Sequence, residues 1–154
     1  MAIFEVALRN SIDSHYKAKF ADLQWLSNSA KPAGIFSNNA FTKGEFETKK
    51  RINDTIRSLS GSYSPDRLIA SFSFGFWVEL FNRLQYRAGG QGLHQIFIKR
   101  PVGTNQLIIY KNLVRLRNFR NRIAHHEPIC FNKNDNIDLS YIFSQYKLLL
   151  EMTF

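Results

Sequence analysis

Acidic residues are scarce in this chain of 154: 12 Asp and Glu stand against 21 Lys and Arg, leaving a net charge of +9 and a pI near 9.9. That imbalance favours an anionic partner, nucleic acid being the commonest, or marks a basic protein with no specific ligand. Cysteine is nearly absent. The single Cys130 excludes an internal disulfide and gives no zinc framework. Its neighbours Ile129 and Phe131 suggest a buried thiol and not a nucleophile. No apolar run approaches the ~18 residues of a membrane span. Met1-Ala2-Ile3-Phe4-Glu5 lacks the basic start and apolar core of a signal peptide, so a cytoplasmic protein without a membrane partner is expected. Glycines cluster only at Gly89-Gly90-Gln91-Gly92, and no Walker or dinucleotide pattern follows them. Internal repeats and low-complexity segments are lacking too.

What is abundant is apolar and aromatic. A hydrophobic content of 44% and an aromatic content of 14% exclude a largely disordered chain, and 14 Phe predict a core rich in flat rings. The length suits one domain, residues 1–154, around one core. Phe4, Leu8 and Ile12 at steps of four predict a first helix from Ala2 to about Lys19, its apolar face widened by Val6 and Ala7. Glu5 and Arg9 have i,i+4 spacing there, and Arg9-Asn10 is either a surface pair or an approach to a site. Ser27 to Asn39 reads as a loop. A helix from Phe41 to about Leu59 carries sparse apolar positions at Phe46, Ile52, Ile56 and Leu59. Its Lys49, Lys50 and Arg51 make either a phosphate-tracking surface or a solvated face.

Ser64-Pro65-Asp66 is a helix start, and the apolar residues from Leu68 to Leu84 predict one core helix reaching about Tyr86. Leu93 to Ile98 reads as a short helix. Thr104 is the expected cap of a helix running from Asn105 to about His126, which Pro128 ends. Asn132 to Asp138 forms a turn, and a last helix to about Met152 buries Leu139, Ile142, Phe143, Tyr146, Leu149 and Leu150. No strand set emerges, so the expected fold is all-α, a bundle of about five to six helices.

Chemistry concentrates between Leu113 and Ile129. Arg115, Arg117, Arg120 and Arg122 fall within eight residues, with Asn118 and Asn121 between them and His125-His126-Glu127-Pro128 after them. Arg117, Asn121 and His125 are spaced by four and share one stripe. Arg120 and His125 lie about 140° apart in azimuth and about 7.5 Å apart along an intact helix. They meet on one phosphate only if the last turn unwinds or a second copy completes the site. A histidine here can both take and give a proton. The plainer alternative is a basic helix end complementing its own dipole. Adjacent His125, His126 and Glu127 lack the i,i+4 spacing of helical metal ligands, and His15 and His94 have no carboxylates nearby, so neither metal nor cofactor is expected.

Arg120-Asn121-Arg122-Ile123-Ala124-His125 resembles the R-x4-6-H signature of HEPN domains. The wider segment Leu116 to Ile129 resembles the Abi-like abortive-infection proteins of bacteria, as do Phe4-Glu5-Val6-Ala7-Leu8-Arg9-Asn10 and Ser73-Phe74-Gly75-Phe76-Trp77-Val78. The resemblance implies a HEPN-like helical domain that dimerises and cuts RNA without a metal. It makes Arg120 and His125 the catalytic pair and Asn121 their polar neighbour; beside them Arg117 and Arg122 are expected to bind the RNA backbone, and His126 is a lesser candidate that either contacts RNA or caps carbonyls. It also implies a toxin or anti-phage effector, controlled by an antitoxin or an activating phage component. The alternative is a non-catalytic RNA-binding or dimerisation module.

Overall fold

A computed structural model describes residues 1–36, 43–131, 134 and 136–152, without the side chains of 43–46. Eight helices are present among them: α1 (Ala2–Phe20), α2 (Trp25–Ser29), α3 (Lys43–Leu59), α4 (Pro65–Ala70), α5 (Phe74–Glu79), α6 (Arg83–Ala88), α7 (Gln106–Ala124) and α8 (Ser140–Glu151). Two 3-10 turns, Ser60–Ser62 and Leu93–Ile96, complete them. The fold is all-α; among the described residues the only extended pairing is an isolated bridge between Phe131 and Ile137. The predicted starts of the second helix at Phe41 and of its apolar stripe at Phe46 lie outside what is described, as do Asn132, Lys133 and Asp135 of the predicted turn.

The predicted core helix from Pro65 to Tyr86 is three helices, not one. Ser64 caps the first as expected, accepting from the Arg67 N–H at 3.1 Å. Ser71 Oγ then donates to the Arg67 carbonyl, and Ser73 takes an extended conformation (φ −69°, ψ 161°). Asn82 does the same (φ −57°, ψ 147°), and its Oδ1 accepts from the Leu84 N–H. Short polar side chains that satisfy backbone groups locally compete with helix continuation, and here they win twice. The corners let Phe72, Phe76 and Trp77 gather. Phe72 and Phe76 stack at 3.9 Å, and the Trp77 ring meets Phe76 edge-on at 5.1 Å.

α2 overlaps the start of the predicted first loop, whose last three residues lie outside what is described, and it forms because the Asp22 carboxylate accepts from the Gln24 N–H at 2.8 Å and from the Asn28 amide at 2.7 Å. Asp13 then ties α1 to α2, accepting from the Trp25 indole N–H at 2.8 Å while pairing with Lys17 at 2.8 Å. One buried cluster runs from Leu8 and Ile12 on α1 through Ile52, Trp77 and Phe97 to Leu148 and Met152. Its spine is α7, whose Ile109, Leu113 and Leu116 are fully buried; each contributes roughly 2 kcal/mol of hydrophobic stabilisation. α7 packs on α5 and α8, and α5 on α1. Asn105, not Thr104, caps α7, accepting from the Ile108 N–H.

Three further expectations are corrected. Val6 is exposed, outside the apolar face of α1. Cys130 is half-buried. α8 turns a different face inward than its apolar pattern suggests: Gln145, Leu148 and Met152 are buried, while Leu139, Phe143, Tyr146 and Leu150 face solvent. α8 runs antiparallel to α7, with Tyr141 against Phe119 at one end and Asn112 near Met152 at the other. Among the described residues that register leaves the second apolar stripe of α8 uncovered.

The glycine loop after α6 closes over α1. Gly89 lies so close to Tyr16 that a Cβ would collide with the phenol, and Lys19 donates to the Gly90 carbonyl at 2.7 Å. Gly89→Ala should therefore destabilise the fold by roughly 1–3 kcal/mol, read as a lowered denaturation midpoint; an unchanged midpoint would show that Tyr16 yields freely. Beside this loop, burial and then the Lys19 and His94 charges lower the pKa of His15, while burial and Arg100 lower that of His94. Tyr86 meets both His94 Nδ1 and the Gln91 carbonyl. The unfolded chain protonates these histidines below about 6.5 and the folded chain resists, so their contribution is present above 6.5 and is lost as pH falls below it. Thermal melts stepped downward from pH 6.5 should fall less steeply for His15→Gln/His94→Gln than for wild type; parallel curves would reject the assignment.

Candidate functional site

The arginines of α7 fan out toward different elements. Arg117 donates through Nη1 to Glu79 Oε1 on α5 at 2.8 Å, and both side chains are about two-thirds shielded, at 28% and 32% exposure. Arg120 donates through Nε to Glu5 Oε1 on α1 at 3.3 Å. Glu5 thus partners Arg120 across the helix interface; Arg9, its expected partner, donates to the Asn10 side chain. Arg122 turns back on the chain: Nε reaches Glu127 Oε2 at 3.1 Å, Nη2 reaches the Pro128 carbonyl at 2.9 Å, and its guanidinium sits over the Tyr141 ring at 5.0 Å. Arg122 therefore clamps the segment after α7 onto α8, a structural engagement that its expected role as an RNA contact did not include. Arg115 is exposed.

The last turn of α7 closes with a defined cap. The His126 N–H donates to the Ile123 carbonyl at 3.1 Å and the Glu127 N–H to the Arg122 carbonyl at 2.9 Å, the paired bonds of a Schellman motif. His126 occupies its left-handed position at φ 55°, where glycine is usual. His125 remains nearly helical (φ −93°, ψ 11°), with its N–H on the Asn121 carbonyl at 2.9 Å. Unwinding thus begins one residue too late to swing His125 toward Arg120. Arg120, Asn121, His125 and His126 are all exposed, and among the described residues neither imidazole has a hydrogen-bond partner.

Arg117, Asn121 and His125 form the expected stripe, about 12 Å long along the helix axis. Its Arg117 end opens into a cleft of about 350 Å³ between α3, α5, α6 and α7. Arg51 enters from α3, its guanidinium held over the Phe76 ring at 5.3 Å. The fold thus brings Arg51 and Arg117, far apart in sequence, to one cleft. Lys50 is exposed and Lys49 half-buried on the same helix. The sequence reading missed Glu79 and Asn82, which also line this cleft. Their signal was present: a carboxylate and an amide inside an otherwise apolar stretch need partners once the stretch is buried. Tyr110 adjoins them. Burial, then the Glu79 charge, raises its pKa against the opposing pull of Arg117.

Glu127 is committed to Arg122, so the His125-His126-Glu127 run does not converge as a ligand set. Among the described residues no three His, Cys, Asp or Glu side chains gather as metal ligands would, and no helix is long and apolar enough to cross a membrane.

The left-handed conformation of a β-carbon-bearing residue costs roughly 1 kcal/mol. His126→Gly should therefore raise unfolding stability by about that amount; a loss of stability in denaturant titration would mean that the imidazole makes a contact worth more than the strain. The chain matches no protein-family model, no curated protein and no solved structure.

Proposed function

We propose that this chain is a metal-independent endoribonuclease of HEPN type, with Arg120, Asn121 and His125 as its catalytic group. The observation that carries the reading is the stripe of Arg117, Asn121 and His125, which leads from half-buried Arg117, at a cleft also lined by Arg51, to an exposed helix end whose two imidazoles have no hydrogen-bond partner among the described residues. The basic charge of +9 suits a polyanionic substrate. In the reaction, the ribose 2′-OH attacks the adjacent phosphorus, the P–O5′ bond breaks, and the products are a cyclic phosphate and a 5′-OH. His125 moves the proton at the attacking or departing oxygen. Arg120, once drawn from Glu5 to the phosphorane oxygens, holds the developing charge through its planar fork. Asn121 orients the phosphate from one turn below.

One copy holds Arg120 and His125 on different sides of α7, so the reading requires a homodimer that sets His125 of one copy near Arg120 of the other. The solvent-facing stripe of Leu139, Phe143, Tyr146 and Leu150 beside the end of α7 supports self-association. Control by an antitoxin or a phage component, as a defence effector, belongs to the same reading through the Abi-like resemblance. A second reading, a non-catalytic RNA-binding or dimerisation module, is favoured by one observation: Arg117, Arg120 and Arg122 each already satisfy an intrachain carboxylate.

The two separate in one assay. Mixed single-stranded and structured RNA is incubated in excess EDTA with wild type and His125→Ala at equal folded concentration. Wild type should leave cyclic phosphate ends, and His125→Ala should cut at least about 100-fold more slowly. Equal cutting by both would remove His125 from the chemistry. RNA binding without cutting, with Arg120→Ala lowering the melting temperature, would select the module.

A further inference from the structure

The cleft at the Arg117 end of the stripe has a chemistry unlike that of a phosphate track. Two cations, Arg51 and Arg117, face two carboxylates, Glu47 and Glu79, so the lining carries no net charge. A polyanionic backbone is drawn to uncompensated Lys and Arg, which this cleft lacks. Hydrogen-bonding groups are dense instead. Asn82 turns its amide toward Glu79 at 3.5 Å, and the Arg117–Glu79 pair sets a donor and an acceptor side by side. Above them the Arg51 guanidinium is steadied by the Phe76 ring beneath it and remains open to solvent on its own account. The volume of about 350 Å³ equals roughly a dozen waters, room for one heterocycle and not for a helix or a strand of protein.

A neutral, planar group edged with donors and acceptors fits this lining. Amide, carboxylate and guanidinium groups read the edges of nucleobases, and guanidinium planes stack on their faces. We propose that the cleft captures one unpaired nucleobase of the RNA lying along α7, stacked on Arg51 and bonded at its edge by Asn82 and the Arg117–Glu79 pair. The proposal rests on the RNA reading above and adds a requirement to it: the substrate carries an unpaired base about 12 Å along the helix from the phosphate at His125. Paired bases have their edges occupied and cannot enter.

The test uses the full chain carrying His125→Ala, so that strands survive, and measures binding by fluorescence anisotropy. The ligands are a mixed-sequence single strand, the same strand with abasic residues throughout, and its duplex, which share a phosphate backbone. The intact single strand should bind roughly tenfold or more tightly than the abasic strand. Adding Arg51→Lys keeps the charge and drops the planar fork; it should erase the difference between intact and abasic strands, and Asn82→Ala should reduce it. Thermal melts confirm that each variant is folded. Equal binding of intact and abasic strands, or an Arg51→Lys protein that still discriminates, overturns the base pocket while leaving the RNA reading intact. Absence of binding to every strand overturns the RNA reading itself. Mononucleotides binding as tightly as the intact strand would make the cleft a free-nucleotide site and overturn capture from a strand.

Discussion

Glu79 closes a helix otherwise built from Phe, Gly, Trp and Val, and much of the surrounding structure answers that one carboxylate. About two-thirds shielded from water, it is a polar group that partners within the protein must meet. Arg117 supplies the cation from α7, and Asn82 and Tyr110 gather on the same group. The pair fixes the rotation of α7 against α5. With Arg117 turned to Glu79, the fully buried Ile109, Leu113 and Leu116 take the core side, and Asn121 and His125 are carried along the Arg117 stripe to the surface. Replacing one partner alone would leave a half-buried charge, which costs more than the pair contributes. Ion pair and apolar burial thus agree on the seating of the central helix and on the face where its polar residues emerge.

Much of this was legible where periodicity is long. α7 and α1 have spacings that only a helix reconciles, and the Ser64-Pro65 start is locally determined. The stripe of Arg117, Asn121 and His125 follows from helical geometry once the helix is granted. What escaped was decided by competition between near-equal alternatives. From Pro65 to Tyr86 the apolar residues fit a continuous helix, but Ser71 and Asn82 satisfy backbone groups themselves and Ser73 turns extended, and no periodicity records that. The partners of Glu5 and Glu79 lie 115 and 38 residues away, beyond any local pattern. The cleft depends on those long-range placements, since Arg51 and Arg117 share it only after three elements have packed.

The misjudged face of α8 has a physical reason of its own. The helix carries two apolar stripes. One, with Leu148 and Met152, goes to the core; the other, Leu139, Phe143, Tyr146 and Leu150, steps by four, three and four and points outward. A step pattern of that kind is the seam of a helix pair. Phe143 at 65% exposure and Leu150 at 57% leave large apolar side chains facing solvent on this helix. Sequence periodicity registers both stripes alike, because hydrophobic spacing does not distinguish a surface buried by folding from one left facing solvent.

That distinction bears on the motif at the end of α7. A cap of Schellman type keeps His125 in helical register, and Arg122 locks the chain beyond it onto α8 through Glu127, Pro128 and Tyr141. Both devices stiffen the helix end against the unwinding that would carry His125 round to Arg120. On the proposed function, a rigid end with Arg120 and His125 about 140° apart is a poor design for a site made within one chain and a sound one for a site made between two. Arg120 meanwhile rests on Glu5 at 3.3 Å while 45% exposed, a screened pair of modest worth that a phosphate, with more negative charge and more acceptor oxygens, is placed to displace. The intrachain contacts of the arginines therefore differ in kind: Arg117 and Arg122 hold the scaffold, and Arg120 is held loosely enough to leave it.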